Sequence, residues 1–556
     1  MWGADSSGDS PVRLHAGHSH RHHVEPQNWR APKATPLRAR PTVSPGVTTQ
    51  APSRTRATAT MWIGQTSATV LVAIQALVLI PIYLQRIDHE LYGAWLGTGE
   101  VLTGILALDL GVSNLMVQRI AHAHGRSEKS AVAAWLGTGV TVLFGLGVVV
   151  LLVGLSVSRF LPAAFRLRGG EAQELVDAFR VGLVASGLLL VNGGFAAYFR
   201  AIQRPFHGAM GSILGTLAMF ATTSVALIAV DAGLMAIPYG LVARAVVSTT
   251  YSLSAMVVVG SREGVGRPVF SREVFSESLR TMPTATAGGI GFIAAGQLDL
   301  TIVGLFLGPL PATTLMLTRK LADLARSFVD MVSFAVYGPF SHLVGSATNA
   351  RAERVWSEIG RIHASVSVLG AVAFISGNLA FLSAWVPGGP SGGLLLTTLI
   401  GIQLLVASES FLRNVLYRAA GAIESGSAML AAESAVRLVL VAVLVRHVGL
   451  AAVPIAAIAV GLAGSELYRR FLMRRLAVDV SPGASATTIA PLRKAAALTL
   501  ATLVGALMPP SGWLVFAASV ALGVGMSILV VTLGNAGLIA LVRERALSLL
   551  QGRDTA

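Results

Sequence analysis

The 556-residue chain contains no cysteine. That excludes disulfides, thiolate nucleophiles and cysteine-ligated metals, and it leaves the compartment open. Charge is scarce too. Asp, Glu, Lys and Arg make up 12% of the residues, where a soluble domain carries about 25% to keep its surface in water. A cytosolic enzyme, a fibrous protein and a disordered regulator are thereby excluded for the bulk of the chain. Aromatic residues are few, at 6%, and no stretch shows the alternation over roughly ten residues that marks a strand of an outer-membrane barrel. The sequence also lacks a Walker A loop, so it predicts no ATPase.

What the chain has instead is 53% hydrophobic residues in long continuous blocks broken by short polar segments. Each block meets the length of about 20 residues that an apolar helix needs to cross a bilayer. The fold class is therefore all-α and polytopic. Fourteen spans are predicted: 61–84, 92–117, 131–157, 181–202, 208–230, 234–260, 281–307, 312–338, 358–385, 394–420, 428–446, 449–470, 493–509 and 513–541. Residues 1–60 stand apart. They hold seven prolines and eight Lys or Arg but no apolar run, a composition that cannot bury enough surface to fold. They include five histidines within nine residues, His15, His18, His20, His22 and His23. A solvated basic tail near anionic lipid is the expectation, with metal binding as the alternative.

Net charge is +15, and in a membrane chain its placement matters more than its sum. The breaks after odd-numbered spans are short and poor in positive charge. One is longer, 158–180, and its second part reads as a short amphipathic helix. The breaks after even-numbered spans carry the cations, among them Arg119 and Arg126, Arg200 and Arg204, Arg262 and Arg267, Arg351 and Arg354, Arg469 and Arg470, then Arg543 and Arg545 in the tail. This alternation predicts a multi-pass protein of the cell (inner or plasma) membrane with both termini cytoplasmic. No external loop exceeds about 25 residues. A polysaccharide polymerase usually needs a larger external segment with catalytic groups, so no enzymatic activity and no cofactor are predicted, and no nucleic-acid partner.

The eighth span concentrates charge. Arg319, Asp323, Arg326 and Asp330 stand at i, i+4, i+7 and i+11, within about 60° of one another at 100° per residue. The stripe is about 16 Å long. One reading is the wall of a water-filled cavity; the other is a self-neutralised ladder, since Arg319–Asp323 and Arg326–Asp330 are both i,i+4 pairs. Glu409–Arg413, Glu433–Arg437 and Glu466–Arg470 have the same spacing, the last at a cytoplasmic end. Arg244, Asp109, Asp299 and Glu100 lack such a partner and must find one on another helix, in water or in a substrate. Glycine-rich patches at 145–154 and 287–296 lie inside apolar spans and read as close helix packing.

At an offset of 221 residues Asp109 falls on Asp330, and spans 1–6 and 7–12 have similar lengths. Two six-helix halves with a path between them suit a transporter. Pro81-Ile82-Tyr83-Leu84, Leu91-Tyr92-Gly93-Ala94-Trp95, Asp109-Leu110-Gly111 and the segment from Leu298 to Pro309 resemble the polysaccharide flippases of the MOP superfamily. The chain departs from that pattern after Pro309. The resemblance covers about 61–545. It implies a six-helix bundle over 61–260, a cytoplasmic linker over 261–280, a second bundle over 281–470, a central cavity, two extra transmembrane helices within 471–545 and a cytoplasmic tail over 546–556. It also implies alternating access, with a polyprenyl-diphosphate-linked oligosaccharide flipped from the cytoplasmic to the outer leaflet for cell-surface polysaccharide biosynthesis. Arg244, Arg319 and Arg326 are the expected cavity cations for the diphosphate. Asp109, Asp299, Asp323, Asp330 and Glu100 are expected to balance charge or couple to ions. Membrane lipids and other polysaccharide-assembly proteins are the expected partners. A multidrug or cation antiporter of the same superfamily is the main alternative, and a membrane polysaccharide polymerase the lesser one.

Overall fold

The computed structural model describes residues 54–106, 109, 111–280, 298–346, 349–475 and 491–532. The histidine-rich part of the tail, the first part of span seven and the arginines at 543 and 545 lie outside the described residues.

Every regular element among the described residues is helical. The first group comprises α1 (Arg54–Arg86), α2 (His89–Leu106), α3 (Val112–Gly125), α4 (Lys129–Ser158), α5 (Leu161–Phe165), α6 (Gly169–Ala201), α7 (Pro205–Ile228) and α8 (Ala236–Glu263). The second comprises α9 (Asp299–Leu307), α10 (Pro309–Ser346), α11 (Asn349–Trp385), α12 (Gly393–Ala419), α13 (Ile423–Val448) and α14 (Ala452–Arg475). Then follow α15 (Pro491–Leu507) and α16 (Gly512–Thr532), which lie against α11 and α12. Eight stretches of the described residues are long and apolar enough to cross a membrane, and the chain is a multi-pass membrane protein. Helix α10 falls short of that composition because of its charged stripe, not its length.

The packing is that of helices in lipid. Along α4 the large apolar side chains of Phe144, Val149, Leu152 and Val153 point outward and are exposed. Its Gly147 lies against the backbone of Gly187 on α6. In hydrocarbon, apolar side chains gain nothing by facing another helix, so small residues and hydrogen bonds fill the contacts instead. Asn378 of α11 is fully buried and donates to the Thr318 carbonyl of α10 and to Thr397 Oγ1 of α12, both at 3.1 Å.

Two predicted spans have a different form. Span two is not continuous: α2 ends at Leu106 and α3 starts at Val112. The Asp-Leu-Gly sequence makes the break. Asp109 Oδ1 accepts the Gly111 N–H at 2.8 Å, the Asp109 carbonyl accepts the Val112 N–H at 2.9 Å, and Gly111 takes φ 73°, a conformation cheap only for glycine. Helix α10 runs unbroken through Asp330, so Asp109 and Asp330 are not equivalent in backbone setting. The second part of 158–180 is not a separate amphipathic helix; it is the first turns of α6.

The two groups touch mainly through α2, which packs on α9 and α10. Gly93, Gly97 and Glu100 fall on one face of α2, at i, i+4 and i+7. A Cβ at Gly93 would overlap the Pro309 carbonyl of α10. The Phe165 ring of α5, 2% exposed, fills the space beside Gly97 and Gly304 of α9. Thr313 Oγ1 donates to the His89 carbonyl at 3.0 Å, and Thr301 Oγ1 donates to the Gly97 carbonyl at 2.6 Å. All of these contacts lie toward the arginine-poor breaks, the end predicted to be external.

Candidate functional site

The glycine face of α2 brings one carboxylate into the second group. Glu100 Oε1 accepts from Arg319 Nη2 at 2.9 Å. Its Oε2 accepts the Leu300 and Thr301 N–H groups at 2.7 and 3.0 Å. These are first-turn amides of α9, which have no partner inside the helix and carry its positive dipole end. Glu100 therefore closes two demands at once, a buried guanidinium and a helix terminus.

Arg319 has two further carboxylates, Asp299 and Asp323, each at 3.5 Å. Asp299 in turn takes Arg437 of α13 at 2.8 and 3.1 Å. The Asp299 and Arg437 side chains are 5% and 8% exposed. At this depth removing one partner of the pair is costly, because the charge left behind loses its nearest counter-charge in a low-dielectric surrounding. Two turns on from Arg319, Arg326 pairs with Asp330 at 3.3 Å. Glu433 of α13 accepts from Ser410 at 3.2 Å. Both sequence ladders along α10 thus form, but Arg319 makes its shorter contact across to α2. The i,i+4 pair Glu433–Arg437 does not form: Arg437 reaches Asp299 instead.

Beside this network lies a cavity of about 300 Å³, at the lower end of ligand-sized pockets. Its polar wall is Asp299, Arg319, Asp323, Arg326 and Gln403, and its apolar wall includes Leu315, Ile400, Leu404 and Val453. Two arginines face two aspartates, so the lining is charge-balanced rather than cationic. Asp323, with its side chain 55% exposed, is its most open carboxylate.

The structure brings together Glu100, Asp299, Arg319, Asp323, Arg326 and Asp330 from the sequence expectations. It leaves two apart. Asp109 sits at the α2–α3 break. Arg244 lies on α8 with its side-chain stem against Gly215 of α7, and among the described residues it has no hydrogen bond or ion pair. Three residues of the network are not marked by the sequence. Spacing pairs Arg437 with Glu433. Gln403 carries no charge to mark it. Thr301, which extends the α2–α9 contact, is one of many threonines in apolar spans. The Gly93–Gly97 spacing ahead of Glu100 was the available signal.

No family model matches the chain, and no curated protein sequence matches it. Solved structures do. A multidrug resistance MATE family transporter of the MOP superfamily in its inward-facing conformation is 15% identical, with TM-score 0.56, over 74% of this chain and 98% of that one. An outward-facing structure of a MATE family transporter gives TM-score 0.55 at 15% identity, over 76% and 95%. A MOP superfamily transporter from Pyrococcus furiosus, described by a binding pocket of reverse polarity that suggests a different function, gives 0.52 at 15%, over 76% and 95%. At this identity the likeness shows the fold, which is that of MOP superfamily transporters.

Proposed function

We propose that the chain carries a polyprenyl-diphosphate-linked oligosaccharide across the membrane by alternating access, for cell-surface polysaccharide biosynthesis. The observation that carries this reading is Arg244, a guanidinium in an apolar helix with no anionic partner among the described residues. Such a charge is costly unless an anion meets it, and a diphosphate is an anion suited to guanidinium forks. Arg326, whose ion pair among the described residues is to a carboxylate of its own helix, is the cavity-side counterpart. The mixed cavity wall suits a head of sugars and phosphates, while the lipid tail stays in the bilayer. An ion gradient or the membrane potential supplies the energy.

Cation export is the second reading. It is favoured by the open Asp323 carboxylate on the cavity wall and by the multidrug transporters among the structural neighbours. The two readings separate in cells lacking the chain. Restored surface polysaccharide supports the first, and drug resistance without polysaccharide supports the second. Arg244→Ala and Arg326→Ala abolish the restoration if the first holds, with the protein still inserted.

A further inference from the structure

A second pocket lies away from the inter-group network, where α11, α12 and α15 meet. It holds about 50 Å³, room for a few waters or one phosphate group. Its lining includes Trp356, His363, Ser367, Glu409, Arg413 and Lys494. The chemistry of this group is unequal in charge. Glu409 is bound by Arg413 and also by Lys494 at 3.2 Å. Two cations thus share one carboxylate. Glu466 on α14 does not pair with either of them directly; Arg469 and Arg470 both hold it at 2.7 Å. Arg413 spends one N–H on the Ser465 carbonyl at 3.0 Å. His363 is 1% exposed, with Nδ1 beside Ser367 Oγ at 3.4 Å and Nε2 without a partner. A buried ring nitrogen and a surplus positive charge line the same small space.

Depth narrows what fits. Glu409 lies about 24 Å along α12 from Gly393 at 1.5 Å per residue, against a hydrocarbon core of about 30 Å. On that scale Glu409 lies about 6 Å inside the boundary of the leaflet toward the arginine-rich breaks, and Lys494, in the first turn of α15, places the pocket within reach of that leaflet's headgroups.

We propose that this pocket binds a phosphate oxyanion, supplied by the headgroup of an anionic phospholipid, with Arg413, Lys494 and His363 as its ligands. The bound headgroup ties α15 to α11 and α12. The inference does not depend on the cargo of the transporter.

The test uses the purified full-length chain in detergent, titrated with phosphatidylglycerol and separately with diacylglycerol, with bound lipid counted by native mass spectrometry. One phosphatidylglycerol per chain is expected, and no saturable diacylglycerol. Arg413→Gln leaves the Lys494–Glu409 tie between α15 and α12 in place, and Lys494→Gln leaves Glu409 paired within α12 with α15 still packed on α11, while phosphatidylglycerol affinity falls about tenfold in each. Glu409→Gln removes the competing carboxylate and raises that affinity. A purely structural clamp gives the opposite pattern: all three variants lower thermal stability and none changes lipid binding, which overturns the proposal. Failure of Glu409→Gln to raise affinity overturns it even if the other two variants do not fold. Millimolar inorganic phosphate separates the sources. Displacement of the lipid assigns the site to the oxyanion from either source, and retention assigns it to the lipid. Equal binding of both lipids contradicts both.

Discussion

Glu100 and Arg319 meet at 2.9 Å although 219 residues separate them. They join α2 of the first helix group to α10 of the second, at the end where Gly93, Phe165 and Thr313 also close the contact. The structure is thus latched at its arginine-poor end. In alternating access this latch must open when the other end closes. The absence of cysteine makes that measurable. Cysteines placed at His89 and Thr313 are expected to cross-link readily with a short bifunctional thiol reagent, and Glu100→Gln is expected to lower the cross-linked fraction. Loss of a charge-assisted hydrogen bond, about 1.5–3 kcal/mol, shifts a two-state equilibrium roughly tenfold or more. Equal cross-linking in both backgrounds contradicts the latch.

The Asp299–Arg437 pair is the most enclosed part of the network. Asp299→Asn leaves Arg437 without its carboxylate and is expected to cost about 3–5 kcal/mol. Asp299→Asn with Arg437→Met removes both charges and is expected to recover a large share of that loss. Thermal unfolding in detergent checks it. Additive losses would mean the two residues are not coupled.

Gly93 tolerates no side chain while α2 and α10 stay in contact. Gly93→Ala is expected to separate them, costing about 1–3 kcal/mol through overpacking and lowering the His89–Thr313 cross-link. Gly145, beside which no atom stands in the way of a Cβ, serves as the control: Gly145→Ala is expected to leave both readouts unchanged.

Arg244 and Arg319 differ in what their removal does to stability. Arg319 compensates Glu100, Asp299 and Asp323, so Arg319→Ala is expected to destabilise by about 3–5 kcal/mol. Arg244 compensates nothing among the described residues, so Arg244→Ala is expected to leave the melting temperature unchanged or higher while transport falls. A stability loss at Arg244 comparable to that at Arg319 would show a structural partner instead.

The helical, membrane-spanning character was readable because twenty-residue apolar blocks leave few alternatives. The α10 stripe was readable because 3.6-residue periodicity aligns its four charges. The break at Asp109 was less so: Asp-Leu-Gly inside an apolar run signals a turn only once Asp109 caps Gly111. Arg437 was assigned to the neighbour four residues away, since sequence spacing reports contacts within a helix and not those between helices. For the same reason the charge balance of the cavity was hidden. Spacing pairs Arg319 with Asp323 and Arg326 with Asp330 within α10, whereas Glu100 and Asp299 meet Arg319 only in the folded chain.

The proposed function has this chain move a lipid-linked anionic head across a bilayer with Arg244 in contact with it. Its most direct test reconstitutes the purified protein in liposomes containing a fluorescent polyprenyl-diphosphate oligosaccharide. A membrane-impermeant quencher then follows the labelled head from one leaflet to the other under an imposed ion gradient or membrane potential. Translocation by the wild type is expected, with a loss of at least about tenfold in Arg244→Ala. No translocation above empty liposomes, with gradient-driven uptake of a cationic dye by the same preparation, would contradict it.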